Sequence, residues 1–189
     1  MAQRHEWGWS GGAWLSCLAG LLMAAAAAGA APPAPGDYPD GEKGLRQLFT
    51  DLVGHVKEGE RGKAAALAGT LALPEPRAWF TEVFGEGPGE RLAMAYADDS
   101  EDLGQLMAAV VAKQVQGGRT EVLVRRLERP GEEATGLQND ALKAMKRPTP
   151  LYSVRLVKPG ETTGFHLWSF VRAGGGFRYV GKIAGVGSR

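Results

Sequence analysis

Cysteine is almost absent from this chain of 189 residues, and the only one is Cys17. It lies inside an N-terminal apolar run, after Trp14-Leu15-Ser16 and with most of the run still to come. That is the wrong place for a lipid-bearing cysteine, which would stand at the end of the run behind small residues. If the run is removed, the remaining chain has no thiol, so a disulfide framework and cysteine nucleophiles are excluded. Net charge is also scarce. Twenty-two Lys and Arg face 21 Asp and Glu, a formal balance of +1, which gives no electrostatic footprint for nucleic acid or an acidic membrane. No metal-ligand spacing, nucleophile elbow or internal repeat is present, so neither a metal nor a cofactor is expected. The stretch Gly85–Glu90 (GEGPGE) lacks the spacing of a phosphate loop and follows no strand, and it reads as a turn.

Long apolar runs are limited to one, Ala13–Ala31. Arg4 and His5 precede it, Glu6 partly offsets Arg4, and the small residues Ala28-Gly29-Ala30 close it. This is the shape of a secretory signal peptide cleaved after Ala30, with export to the periplasm or the extracellular space. The rival is an uncleaved anchor, because the run approaches the roughly 17–25 residues that a span needs. That anchor would be the chain's only contact with a membrane. Residues 31–40 (APPAPGDYPD) form a Pro-rich extended linker. Residues 41–189 are expected to make a single α+β domain.

Within the domain the helical signals come first. Asp40 is placed to cap a helix whose Leu45, Leu48, Phe49, Leu52, Val53 and Val56 share one face. An Ala-rich helix over Lys63–Leu73 follows, then a short apolar helix, Pro76–Phe84, with proline in its first turn. Glu90–Ala97 reads as a brief helix. Asp99 or Ser100 caps a longer one with Leu103, Leu106, Met107, Val110, Val111 and Val115, which Gly117-Gly118 ends. The acidic residues Asp98, Asp99, Glu101 and Asp102 match capping and the helix dipole, and lack the glycine turn and distal glutamate of a calcium loop. Arg119–Glu128 is the first strand. Ala134–Lys146 holds a short helix, and Pro148 and Pro150 lead into the terminal strands. Arg125 and Arg126 point to opposite sheet faces and do not form one basic patch.

The terminal strands carry the clearest signal, FHLWSFVRAGGGFRYVGKI over residues 165–183. Adjacent glycines supply the positive φ angles of a two-residue turn at Gly174-Gly175. That turn pairs Arg172 with Phe177, Phe170 with Tyr179, Trp168 with Gly181 and His166 with Ile183. One face is then aromatic, with His166, Trp168, Phe170, Phe177 and Tyr179, while Arg178 and Lys182 point outward. A one-residue slip would set Arg172 against Arg178 and scatter the aromatics. The Trp79-Phe80 helix is the expected cover for the aromatic face. Whether Tyr152, or instead Ser153 and Arg155, joins that face depends on the Pro159-Gly160 turn.

Helices followed by an antiparallel sheet of about four strands predict an α+β fold with the helices on one face of a curved sheet. The leading helix Leu45–Val56, the Trp79-Phe80 helix and the C-terminal hairpin give an order that resembles the nuclear-transport-factor-2-like (ketosteroid-isomerase-like, cystatin-related) superfamily. The resemblance covers roughly residues 43–183 and rests on architecture, without a diagnostic motif. It implies a cone-like fold, with a pocket open at one end in many members. The helical segment Leu137–Lys146 departs from that pattern. Members span isomerases, dehydratases and inert binding modules, so the fold does not choose a function.

Three functions remain as expectations. The leading one is an exported, non-catalytic domain that binds a small apolar ligand or a partner protein, with Trp79, His166, Trp168, Phe170 and Tyr179 lining the site. The alternative is a cofactor-free isomerase or dehydratase using His166 as base and Tyr152 or Tyr179 as donor; among the carboxylates only Asp140 could reach it. The third is an assembly module that forms a homodimer through the outer sheet face. A lone histidine, and tyrosines with wet hydroxyls, are also ordinary core furniture. His55 lies on the flank of its helix and carries less weight than His166.

Overall fold

The computed structural model describes residues 38–131 and 133–186; the expected signal peptide, most of the expected Pro-rich linker and residues 187–189 lie outside the described residues. The order is α1 (Glu42–Lys57), α2 (Arg61–Gly69), α3 (Pro76–Phe84), α4 (Glu86–Ser100), α5 (Leu103–Gln116), β1 (Glu121–Leu127), α6 (Gly136–Ala144), β2 (Leu151–Val157), β3 (Gly164–Ala173) and β4 (Gly176–Tyr179). The strands form an antiparallel sheet in the order β1-β2-β3-β4, and it does not close on itself. The protein is thus α+β, with five helices ahead of the sheet, as the hydrophobic periods predict. No helix among the described residues is long and apolar enough to cross a membrane.

Helix α1 forms where the i, i+3, i+4 stripe lies, and Leu45, Leu48, Phe49, Leu52 and Val53 are all buried. Its N-terminus corrects one expectation. Gly41 occupies the cap position without a side-chain bond, and Asp40 instead pairs with Arg172 at 2.6 Å. The GEGPGE stretch is corrected too: from Glu86 onward it is the first turn of α4, where Pro88 costs little because those amides lack intrahelical partners. Likewise α5 starts at Leu103 with Asp102, not Asp99 or Ser100, at its cap. Helix α6 is closed by a capping box in which Thr135 and Gln138 bond reciprocally.

Buried side chains form two clusters, and the alternation of the strands assigns each to one sheet face. Val122, Val124, Tyr152, Val154, Leu167 and Phe170 pack with α1, α2 and α5. Leu127, Leu151, Val171, Val180 and Ile183 pack with α3, α4 and Ala141 of α6. The aromatic face is therefore covered by α1, with the Phe49 and Phe170 rings 5.3 Å apart, edge to face. The Trp79-Phe80 helix serves the other face, which corrects its expected role as the cover. Tyr152 takes the first of its two options: it pairs with Phe170, and its ring meets Phe177 at 5.7 Å.

Because both faces are buried, Arg178 cannot reach water as expected; it is 7 % exposed. Its guanidinium donates to the carbonyls of Thr70, the residue after α2, and of Gly174. The carbonyl end of a helix carries partial negative charge, which gives a buried cation a partner without a carboxylate. The Tyr179 amide donates to Leu71 at 2.8 Å, so the same segment also satisfies the outer edge of β4.

Candidate functional site

The hairpin turn forms as the glycines dictate, with Gly174 at φ 56 and Gly175 at φ 75, and the pairs Arg172 with Phe177 and Phe170 with Tyr179 are present. The expected pairing fails beyond them. Tyr152 faces Phe170, yet Val154 faces Leu167, so β3 spends one residue more than β2 across this interval. Ser169 sits at φ 45, a left-handed conformation in a non-glycine residue, as a bulge requires. The bulge turns His166 and Trp168 to the face opposite Phe170, which corrects the single aromatic face.

The segment after β4 leaves the sheet at the same level. The Val180 amide donates to the Ser169 carbonyl at 2.9 Å, and then Gly181 adopts φ 68 and bends the chain away. The strand expected to reach Ile183 thus stops at Tyr179. The first half of β3 is left with one neighbour, and a cavity of about 570 Å³ opens beside its free edge. Phe165 and Leu167 from one sheet face and His166 and Trp168 from the other all line it, as an edge position requires. Its remaining walls are Phe80 and Tyr96, the α5 stripe Leu103–Leu106–Met107–Val110, and the tail Tyr179–Ala184. Leu106 and Phe165 are 55 % and 36 % exposed and belong to its rim. A hollow along α3 is comparably large, about 650 Å³, but it is lined by exposed residues such as Arg77 and Glu82 and brings no polar groups together in an apolar surround.

At the edge of this cavity the His166 ring stacks on Trp168 at 5.0 Å, and the ammonium of the exposed Lys182 lies 5.7 Å from the centre of the same indole. His166 Nε2 is buried and has no hydrogen-bond partner among the described residues. Burial, helped by the neighbouring Arg155 charge, lowers the His166 pKa below its ordinary 6.5, so the ring is neutral at pH 7. The Tyr96 hydroxyl accepts the Leu73 amide at 2.8 Å, and burial raises its pKa. No Asp or Glu lines this cavity among the described residues.

The expected site residues are thus divided. His166, Trp168 and Tyr179 line one cavity. Phe170 is fully buried in the core, and Trp79 is a core residue of the other face whose Nε1 has no partner among the described residues. Tyr152 lies in a separate cleft of about 320 Å³ with Asp40, Arg126 and Arg172, where burial raises its pKa. Tyr152 therefore does not join His166 and Tyr179 in one catalytic set, and Asp140 lines neither hollow. The α5 wall and the tail were missed as lining residues; the hint in the sequence was the width of the α5 stripe, too broad for one contact surface.

The structure also brings together His55, Glu58 and Glu60, whose ligand atoms lie within 4.8 Å of one another. Both Glu60 oxygens are engaged already, by Lys63 at 2.6 Å and His55 at 2.8 Å, and the Lys63 bond leads in holding the Glu60 pKa below its ordinary value. An ammonium in that position repels a metal cation.

No protein-family model, curated protein or solved structure matches this chain.

Proposed function

We propose that the protein is an exported, non-catalytic domain that binds a small, largely apolar ligand in the cavity beside β3. The observation that carries this is the cavity itself: about 570 Å³ within the range of small-molecule sites, walled by aromatic and aliphatic side chains, with a few polar groups converging on it. Lys182 and His166 at that wall supply the few polar groups that orient a ligand in an otherwise apolar site. Export rests on the Ala13–Ala31 run and its small-residue end, and kinship with the nuclear-transport-factor-2-like superfamily rests on element order alone.

An isomerase or dehydratase activity has less support. Its proton transfer would fall to His166 and Tyr179, with Tyr152 elsewhere and no carboxylate in the cavity among the described residues. Adding the neutral apolar dye N-phenyl-1-naphthylamine to the purified domain tests the binding proposal. A melting temperature that rises with dye concentration is expected, and one that does not move counts against it.

A further inference from the structure

The polar groups that reach the cavity share a character. Lys182 brings an ammonium, His166 a neutral ring, and Tyr96, Tyr179 and Ser100 bring hydroxyls, of which Tyr96 accepts the Leu73 amide and Ser100 donates to the Ala97 carbonyl. Among the described residues no carboxylate lines the walls. A cavity that offers hydroxyls and one positive charge, with no negative charge among its described lining residues, is electrostatically matched to an anion and mismatched to a cation. The rest of the lining, Leu92, Leu103, Met107, Val110, Leu167 and Ile183, is apolar and can accept only hydrocarbon.

We infer that the ligand is an amphiphile with an apolar body and a single anionic head, of the class of medium-chain or aryl carboxylic acids. This rests on the proposed binding function and narrows it. The charge pattern also orients the ligand. The α4–α5 junction carries the exposed acids Asp98, Glu101 and Asp102, which repel an anionic head from that end. The head therefore sits at the β3–tail end, against the Lys182 ammonium and beside the His166 ring, with the apolar body along α5. The Lys182 ammonium lies 5.7 Å from the centre of the Trp168 indole, whose face attracts it toward the position proposed for the head.

Competition against bound N-phenyl-1-naphthylamine tests the inference on the whole domain, with dodecanoate, dodecan-1-ol and dodecyltrimethylammonium, all below their aggregation concentrations. The three share one tail, so the ratio of their affinities isolates the head. Dodecanoate is expected to compete about tenfold better than the alcohol, as a charge-assisted hydrogen bond gives, and the ammonium worst. Lys182→Gln should bring the acid-to-alcohol ratio close to one, and Lys182→Arg should restore it. Raising the salt should reduce the ratio in the native protein. Equal competition by acid and alcohol, or a ratio that Lys182→Gln leaves intact, overturns the anionic head while the apolar site stands. Absence of dye binding overturns both together.

Discussion

The Val180 amide donates to the Ser169 carbonyl at 2.9 Å, and among the described residues no backbone bond joins β3 to the chain beyond it. Ser169 is the only described non-glycine residue at positive φ. The bulge and the departing tail therefore meet at one point, and the cavity beside β3 exists because they do.

Ser169 is the first place to test this. A β-branched side chain tolerates the left-handed region worst, so Ser169→Val should destabilise the domain by about 1–3 kcal/mol. Ser169→Gly relieves the backbone but frees the unfolded chain, and should stay within about 1 kcal/mol of the native protein. Urea unfolding followed by circular dichroism measures both. Equal stability of the valine and glycine variants would contradict the bulge.

Phe170 and Leu106 separate core from cavity rim. Phe170 is fully buried against Phe49, so Phe170→Ala should cost about 3–5 kcal/mol, with the lost ring leaving a void. Leu106 is 55 % exposed, and Leu106→Ser should change stability by about 0.5 kcal/mol or less while weakening dye binding. Comparable losses from the two substitutions would place the core wrongly.

His166 gives a signed pH dependence. Its folded pKa lies below the ordinary 6.5, so the unfolded chain takes up the proton first as pH falls. The stability tied to the neutral ring is complete above about 6.5, declines as pH drops below that value, and levels off below the folded pKa. His166→Gln should flatten this part of the stability profile. A native profile that gains stability between pH 6.5 and 5, and loses that gain in the variant, would require the opposite environment.

Two arginines test buried against exposed charge. Arg178→Met removes the bonds to Thr70 and Gly174 and should cost about 1–3 kcal/mol, with little dependence on salt. Asp40→Asn breaks a pair whose carboxylate is 81 % exposed, and should cost less than about 1 kcal/mol, shrinking as salt rises. Thermal unfolding at low and high salt distinguishes them. A salt-sensitive Arg178→Met would mean that its guanidinium is solvated.

Much of the fold was legible because it rests on period and punctuation. The α1 stripe, proline at the start of α3, and the paired glycines of the β3–β4 turn each have a local cause, and each element forms where that cause lies. The candidate site was legible only in part. The pattern from Gly164 to Ile183 alternates too evenly to announce a bulge, and nothing local requires Ser169 to leave the β region. The bulge is a tertiary choice. Without it, Leu167 and Phe170 could not both enter the α1–α5 cluster, since three residues of separation puts them on opposite faces of a regular strand. The same choice moved His166 and Trp168 away from Phe170 and sent the tail off the sheet. Arg178 was misplaced for a related reason. Alternation names a face, and only packing shows that α3 and α4 bury that face as well.

The gap beside β3, proposed above as a ligand site, is open to a direct binding measurement. Fluorescence titration with N-phenyl-1-naphthylamine, on the native domain and on Val110→Phe, tests the proposal most directly, because Val110 lines the cavity and is only half-buried. Saturable binding of one dye per native chain is expected. In the filled variant affinity should fall by about tenfold or more, with stability nearly unchanged. Non-saturable dye uptake, or equal affinity in the two proteins, would contradict the proposal.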